Sequence, residues 1–142
     1  MKTLEKYFKK NGKPFIPEDL PDDIQMGRVG DCYDTSAIIA TRRKYRYVEG
    51  LARNPLTGEW ILHAWVTDGL YAYDPTWFTV CDGKHLKVKT DYIGIEMDIE
   101  TVALFMGKTG YKAIVANHWR NREISKKMLP KGLPEDDIKN YL

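Results

Sequence analysis

The chain has 142 residues, 43% hydrophobic and 12% aromatic, which suits one folded domain over 1–142 and excludes a disordered chain. Lys and Arg number 22 against 20 Asp and Glu, and the basic clusters (Arg42 to Lys44, Lys84 to Lys89, Arg120 to Lys131) alternate with acidic ones, which argues against a nucleic-acid partner. No apolar run is long enough for a membrane span, MKTLEKYFKKNGK has no apolar signal-peptide core, and two cysteines make no disulfide framework, so a cytoplasmic protein with free thiols is expected.

Residues 2–10 predict a short amphipathic helix with Leu4, Tyr7 and Phe8 on one side. The three prolines and the glycine of NGKPFIPEDLPDD predict an irregular connection. Asp31 to Arg43 predicts a helix, with Asp31 as N-cap, Asp34 as capping-box acid and a small apolar middle at 37–40. A strand is expected over 44–53, then a turn at NPLTGE, then two strands, WILHAWVT and LYAYDPTW, joined by Asp68-Gly69. One more strand is expected over 84–97. A helix over 98–108 would be capped by Asp98 and stopped by Gly107 or Gly110, and a last strand would run over 111–119. The polar tail carries weak helical signals. Runs of strands with a few helices imply an α+β domain, its antiparallel sheet packed on the buried helix that begins near Cys32.

Asp-Gly between alternating strands is a strong hairpin signal. A two-residue loop there would set Thr67 opposite Leu70 and, by counting, His63 opposite Asp74 on the same face. Trp65 would then meet Ala72, with Val66 against Tyr71 and Ala64 against Tyr73 on the other face. An imidazole beside a carboxylate is either a structural pair or the base-and-orienter half of a catalytic triad.

Cys32 is the leading candidate nucleophile, because it sits in the first turn of a predicted helix, where free N–H groups and the dipole favour a thiolate. Asp31 and Asp34 oppose that charge. Cys81 has no helix start and reads as structural. A serine nucleophile lacks its G-x-S-x-G, and no phosphate-binding glycine loop appears. Cys81 and His85 have C-x₃-H spacing that His118 and Cys32 would have to complete as a zinc site, without CxxC or HExxH support. No metal and no cofactor is therefore expected.

The segments GDCYDTSA, YRYVEGLA, LHAWV and YAYDPTW, in this order, resemble the transglutaminase-like superfamily, a branch of the papain-like thiol enzymes. The likeness covers roughly residues 28–80, a little over a third of the chain; H-A-W with D-P-T at hairpin spacing is its specific part. It implies Cys32 as nucleophile, Gly50 ending a strand, His63 as base and Asp74 as orienting acid, with acyl transfer on the amide bonds of a protein or peptide substrate. The interval from Cys32 to His63 is short for the group, which implies small loops. Gln25, seven residues before Cys32, is the candidate side-chain oxyanion donor by likeness to papain-type proteases, beside the Cys32 N–H. Tyr33, Trp65 and Trp77 are candidates to line a substrate groove, with the core as the competing place for each. The rival expectation is a non-catalytic binding or inhibitory protein that keeps the fold.

Overall fold

A computed structural model describes residues 2–81, 84–87 and 89–134. The first helix, α1 (Lys2–Asn11), buries Leu4, Tyr7 and Phe8 as its apolar spacing dictates. The next segment is not irregular. Lys13–Pro17 forms strand β1, because Phe15 turns inward with 4% of its surface exposed and the available N–H groups find acceptors. Ile16 N–H donates to Leu70 O at 3.0 Å, and the two prolines fall where no donor is needed.

Helix α2 (Cys32–Ala40) is shorter than its pattern suggested. Asp31 occupies the N-cap position without a side-chain cap bond, and Asp34 pairs with Lys112 rather than closing a capping box. The chain leaves the helix at Thr41, and Arg43 takes a left-handed conformation, φ 66°.

Strands β2 (Arg46–Arg53) and β3 (Trp60–Thr67) pair antiparallel along their full length, from Arg46 opposite Thr67 to Arg53 opposite Trp60. The following strand is only the stub β4 (Tyr71–Ala72), which pairs parallel with β1. The expected single strand over 84–97 is two: β6 (Lys84–Lys87) pairs with β5 (Phe78–Cys81) in a separate two-stranded sheet, and β7 (Tyr92–Met97) lies between β2 and β1. Arg53 N–H donates to Asp91 O at 3.0 Å, so β7 begins where β2 ends.

The five-stranded sheet runs β3-β2-β7-β1-β4, antiparallel except for the β1/β4 pair. It curls until its edges meet, where Val66 and Tyr73 exchange backbone hydrogen bonds of 3.1 and 2.9 Å. Every strand sends a side chain into one inner cluster: Phe15, Val48, Ala52, Trp65, Ala72 and Tyr92. Trp65 fills this space, set edge-on to Tyr92 (4.9 Å between centroids) and to Phe15 (5.7 Å). Gly94 makes room for it, since a β-carbon there would stand 2.9 Å from Trp65 Cη2. The outer face carries Tyr47, Leu51, Ala64 and Val66 into the larger core, with Phe8 of α1, Ile39 of α2 and Phe105 of α3 (Ile99–Thr109). The molecule is therefore mixed α+β; α2 packs one face on the sheet through Cys32, Ser36, Ile39 and Ala40, while Ile38, expected in a buried middle, is exposed.

Helix α3 begins as its sequence signals, with Asp98 Oδ2 accepting from Thr101 N–H at 3.0 Å, and it ends at Gly110, φ 73°. Residues 111–119 are not a strand. Ile114 and Val115 donate their N–H groups to the buried Glu49 carboxylate at 2.9 and 3.0 Å, so no partner strand is required. A short 3₁₀ turn (His118–Asn121) and helix α4 (Arg122–Met128) follow.

Candidate active site

Three parts of the chain converge where the sheet closes. Gly30, φ 97°, turns the backbone into α2, whose first residue is Cys32, 7% exposed. The segment before it is pinned on two sides. Gly27 N–H donates to Pro75 O at 2.8 Å, and a β-carbon on Gly27 would stand 2.5 Å from Thr35 Oγ1 on α2. His63 stands on β3 opposite Gly50 and is 5% exposed.

Asp74 follows the β3–β4 connection, and its register differs from the expected one. A two-residue loop at Asp68-Gly69 would pair Thr67 with Leu70, yet the observed bridge pairs Val66 with Tyr73. Asp68 Oδ1 accepts from Leu70 and Tyr71 N–H, both at 3.0 Å, and Thr67 Oγ1 donates to Tyr71 O at 2.6 Å, which builds a wider loop. Tyr71 and Ala72 then pair with β1 rather than β3. The slip is two residues, so side-chain parity is kept and Asp74 still shares a face with His63. They meet diagonally: His63 Nε2 lies 2.7 Å from Asp74 Oδ2.

Asp74 is 1% exposed and surrounded by donors. Thr76 N–H (3.1 Å), Thr76 Oγ1 (3.3 Å) and Trp77 N–H (3.1 Å) address Oδ1. Oδ2 accepts from Tyr92 O–H at 2.7 Å as well as facing His63. The D-P-T-W turn thus wraps the carboxylate in its own backbone, which satisfies a buried acid.

The other imidazole nitrogen, Nδ1, is left for Cys32, whose thiol lies beside the same ring. Burial acts to lower the His63 pKa, but the charge of Asp74 and its hydrogen bond outweigh burial, and Cys32 adds to them. The result is a pKa raised to about 9. His63 is then a cation at neutral pH. Trp77, half-buried, lies against it at 4.8 Å and 34° and limits the ring's freedom.

Behind Cys32 lies a second buried acid. Glu49, 2% exposed, accepts from Tyr47 O–H at 2.7 Å and from the two N–H groups already named. Burial raises its pKa, and these three donors oppose the rise. Tyr33 is raised well above the ordinary tyrosine value by burial and by the charges of Glu49 and Cys32.

Of the residues singled out from sequence, Cys32, His63 and Asp74 are brought together. Trp77 lies against the His63 ring, whereas Tyr33, next to Cys32 in the chain, packs against the larger core. Trp65 has no exposed surface and fills the inner cluster, so it offers a substrate nothing. Gln25 is exposed and makes no hydrogen bond to the three among the described residues, although its segment abuts Pro75. Motif reasoning missed Tyr92 and Glu49. Glu49 had a visible signal, an acid in the apolar run YVEGLA, whereas Tyr92 had none. The side chains of Cys81 and His85 lie outside those described. Among the described residues no cluster of three metal-ligating side chains exists, and no helix is long and apolar enough to cross a membrane. Comparison with protein-family models, curated proteins and solved structures finds no match.

Proposed function

We propose that this chain is a thiol-dependent acyl-transfer enzyme of transglutaminase-like type, acting on amide bonds of a protein or peptide. The observation that carries this reading is the 2.7 Å contact between His63 Nε2 and Asp74 Oδ2, with Cys32 beside the same ring at a helix start. A cation next to the sulfur is what makes a cysteine a nucleophile. Cys32 Sγ attacks the amide carbonyl carbon. The C–N bond breaks as His63 gives its proton to the leaving amine, and a thioester remains. Water or a second amine then attacks the thioester, His63 takes its proton, and the S–C bond breaks to restore the thiolate. Water makes the reaction hydrolysis or deamidation; an amine makes it transamidation.

Asp74 holds the imidazole with Nδ1 toward the sulfur and supports its charge. The Cys32 N–H, at a helix start where backbone donors lack intrahelical partners, serves the oxyanion, with Gln25 as the side-chain candidate. Trp77, against the His63 ring, and Tyr33, beside Cys32 in the chain, are the candidates to meet a substrate. A reducing compartment such as the cytoplasm suits the free thiol. No metal or cofactor enters the steps.

The second reading, a non-catalytic binding or inhibitory protein with this fold, is favoured by the small exposure of Cys32 and His63, 7% and 5%. Iodoacetamide at neutral pH separates the two. The enzyme reading expects Cys32 to be carbamoylmethylated far faster than Cys81, and His63→Ala to slow it at least about tenfold. Equal labelling of both thiols, or negligible labelling of either, rejects it.

A further inference from the structure

Tyr92 reaches the triad from a strand that carries none of its members. Strand β2 separates β7 from β3 in the sheet, so the Tyr92 hydroxyl crosses the inside of the curl to meet Asp74 Oδ2 at 2.7 Å. His63 Nε2 addresses the same oxygen at the same distance. Oδ1 is occupied separately by Thr76 and Trp77, so the two carboxylate oxygens have different duties. Tyr92 is 1% exposed, and its ring is wedged edge-on against Trp65.

We propose that Tyr92 is a positioning residue of the acyl-transfer reaction: its hydroxyl fixes Asp74 Oδ2 toward His63 and, by sharing that oxygen, moderates the carboxylate's hold on the imidazole proton. This rests on the reading of Cys32, His63 and Asp74 given above. The reaction needs that moderation, because His63 must surrender its proton to the leaving amine and later take one back. A histidine bound too tightly to its acid is a poor donor. A second donor on one oxygen draws off part of the charge that the imidazolium would otherwise meet alone. Burial, then the charge and hydrogen bond of Asp74, keep the phenol protonated far above the working range, so it remains a donor throughout. Among the described residues, the titratable groups facing His63 are Asp74 directly, Cys32 from α2 and Tyr92 through Asp74, while its partner across β2 is Gly50, which brings no charge.

The test is the titration of the His63 ring by NMR with labelled histidine, in the wild type and in Tyr92→Phe. The inference expects the proton affinity of His63 to rise at least about threefold when the hydroxyl is removed. The alkaline limb of Cys32 labelling by iodoacetamide moves with it. An unchanged or lowered midpoint overturns the inference, and a purely structural Tyr92 gives that result with only a loss of thermal stability. Should Tyr92→Phe not fold, 3-fluorotyrosine incorporated at position 92 keeps the fold and strengthens the donor. His63 affinity must then fall, and no change, or a rise, overturns the inference equally. The two proposals fail differently. An unshifted His63 in Tyr92→Phe, with wild-type Cys32 still labelled selectively, defeats the role of Tyr92 alone. Inert wild-type Cys32 defeats the acyl-transfer reading and with it the reaction Tyr92 would serve.

Discussion

Glu49 Oε2 stands 2.9 Å from the backbone nitrogen of Ile114, sixty-five residues further along the chain. The contact joins the middle of the sheet to the segment that follows α3, next to the helix that carries Cys32. Glu49→Gln keeps the size and replaces one acceptor with an NH₂ group facing either the Ile114 or the Val115 N–H. A loss of about 1–3 kcal/mol is expected from the unsatisfied buried donors. Urea denaturation measures it, and an unchanged midpoint would mean the three hydrogen bonds hold nothing in place.

The pairing of His63 with Asp74 predicts how stability varies with pH. The folded pKa of His63, about 9, lies above its ordinary value of 6.5. The stabilisation is therefore complete below the ordinary value and is lost as pH rises through about 9. Its size is at most about 3 kcal/mol. The melting temperature of the wild type should fall between about pH 7 and pH 10, and Asp74→Asn should flatten that fall. A slope that survives in Asp74→Asn belongs to other groups.

Gly94 is expected to tolerate no side chain. The added methyl of Gly94→Ala would stand 2.6 Å from Val48 Cγ1 and 2.9 Å from Glu49 O. Overpacking of this kind costs about 1–3 kcal/mol. Gly50→Ala should cost more, because its methyl would lie 2.1 Å from Ile93 O, a backbone atom that no rotamer can move aside. Equal midpoints for wild type and Gly50→Ala in a denaturant series would show that the strands β2 and β7 are not held so close.

Asp98→Ala provides the control distant from the chemistry. Asp98 Oδ2 accepts from both the N–H and the hydroxyl of Thr101, at 3.0 and 2.8 Å. Its loss should cost about 1 kcal/mol of stability. The rate at which iodoacetamide labels Cys32 should not move. A large drop in labelling would tie α3 to the site in a way these contacts do not explain.

The pairing of His63 with Asp74 was legible in the sequence, while the register that delivers it was not. Counting from Asp68-Gly69 finds the right face because a slip of two residues conserves parity. It misses the slip because Asp68 spends its carboxylate on the loop and Tyr71–Ala72 has a better partner in β1. That partner was itself hidden, since Pro14 and Pro17 read as loop until Phe15 is seen to need the inner cluster. Residues 111–119 looked like a strand because strand composition says only that apolar side chains are buried. Where the backbone donors go was decided by Glu49, far away in sequence. Helices α1 and α3 needed no distant partner to be recognised, because local spacing and caps define them.

The order of the sheet also governs when the site comes into being. A growing chain that has released eighty residues already contains Cys32, His63 and Asp74. It does not yet contain β7, without which β1 has no neighbour on one side and the stub after the β3–β4 loop has only a loose strand to join. Tyr92 belongs to that same late strand. The contacts around the acid and the base thus draw together residues from β1, β3, the turn after β4 and β7, which are distant in the chain. A chain ending before residue 92 therefore holds Cys32, His63 and Asp74 but lacks both the strand that pairs with β1 and β2 and the hydroxyl that meets Asp74.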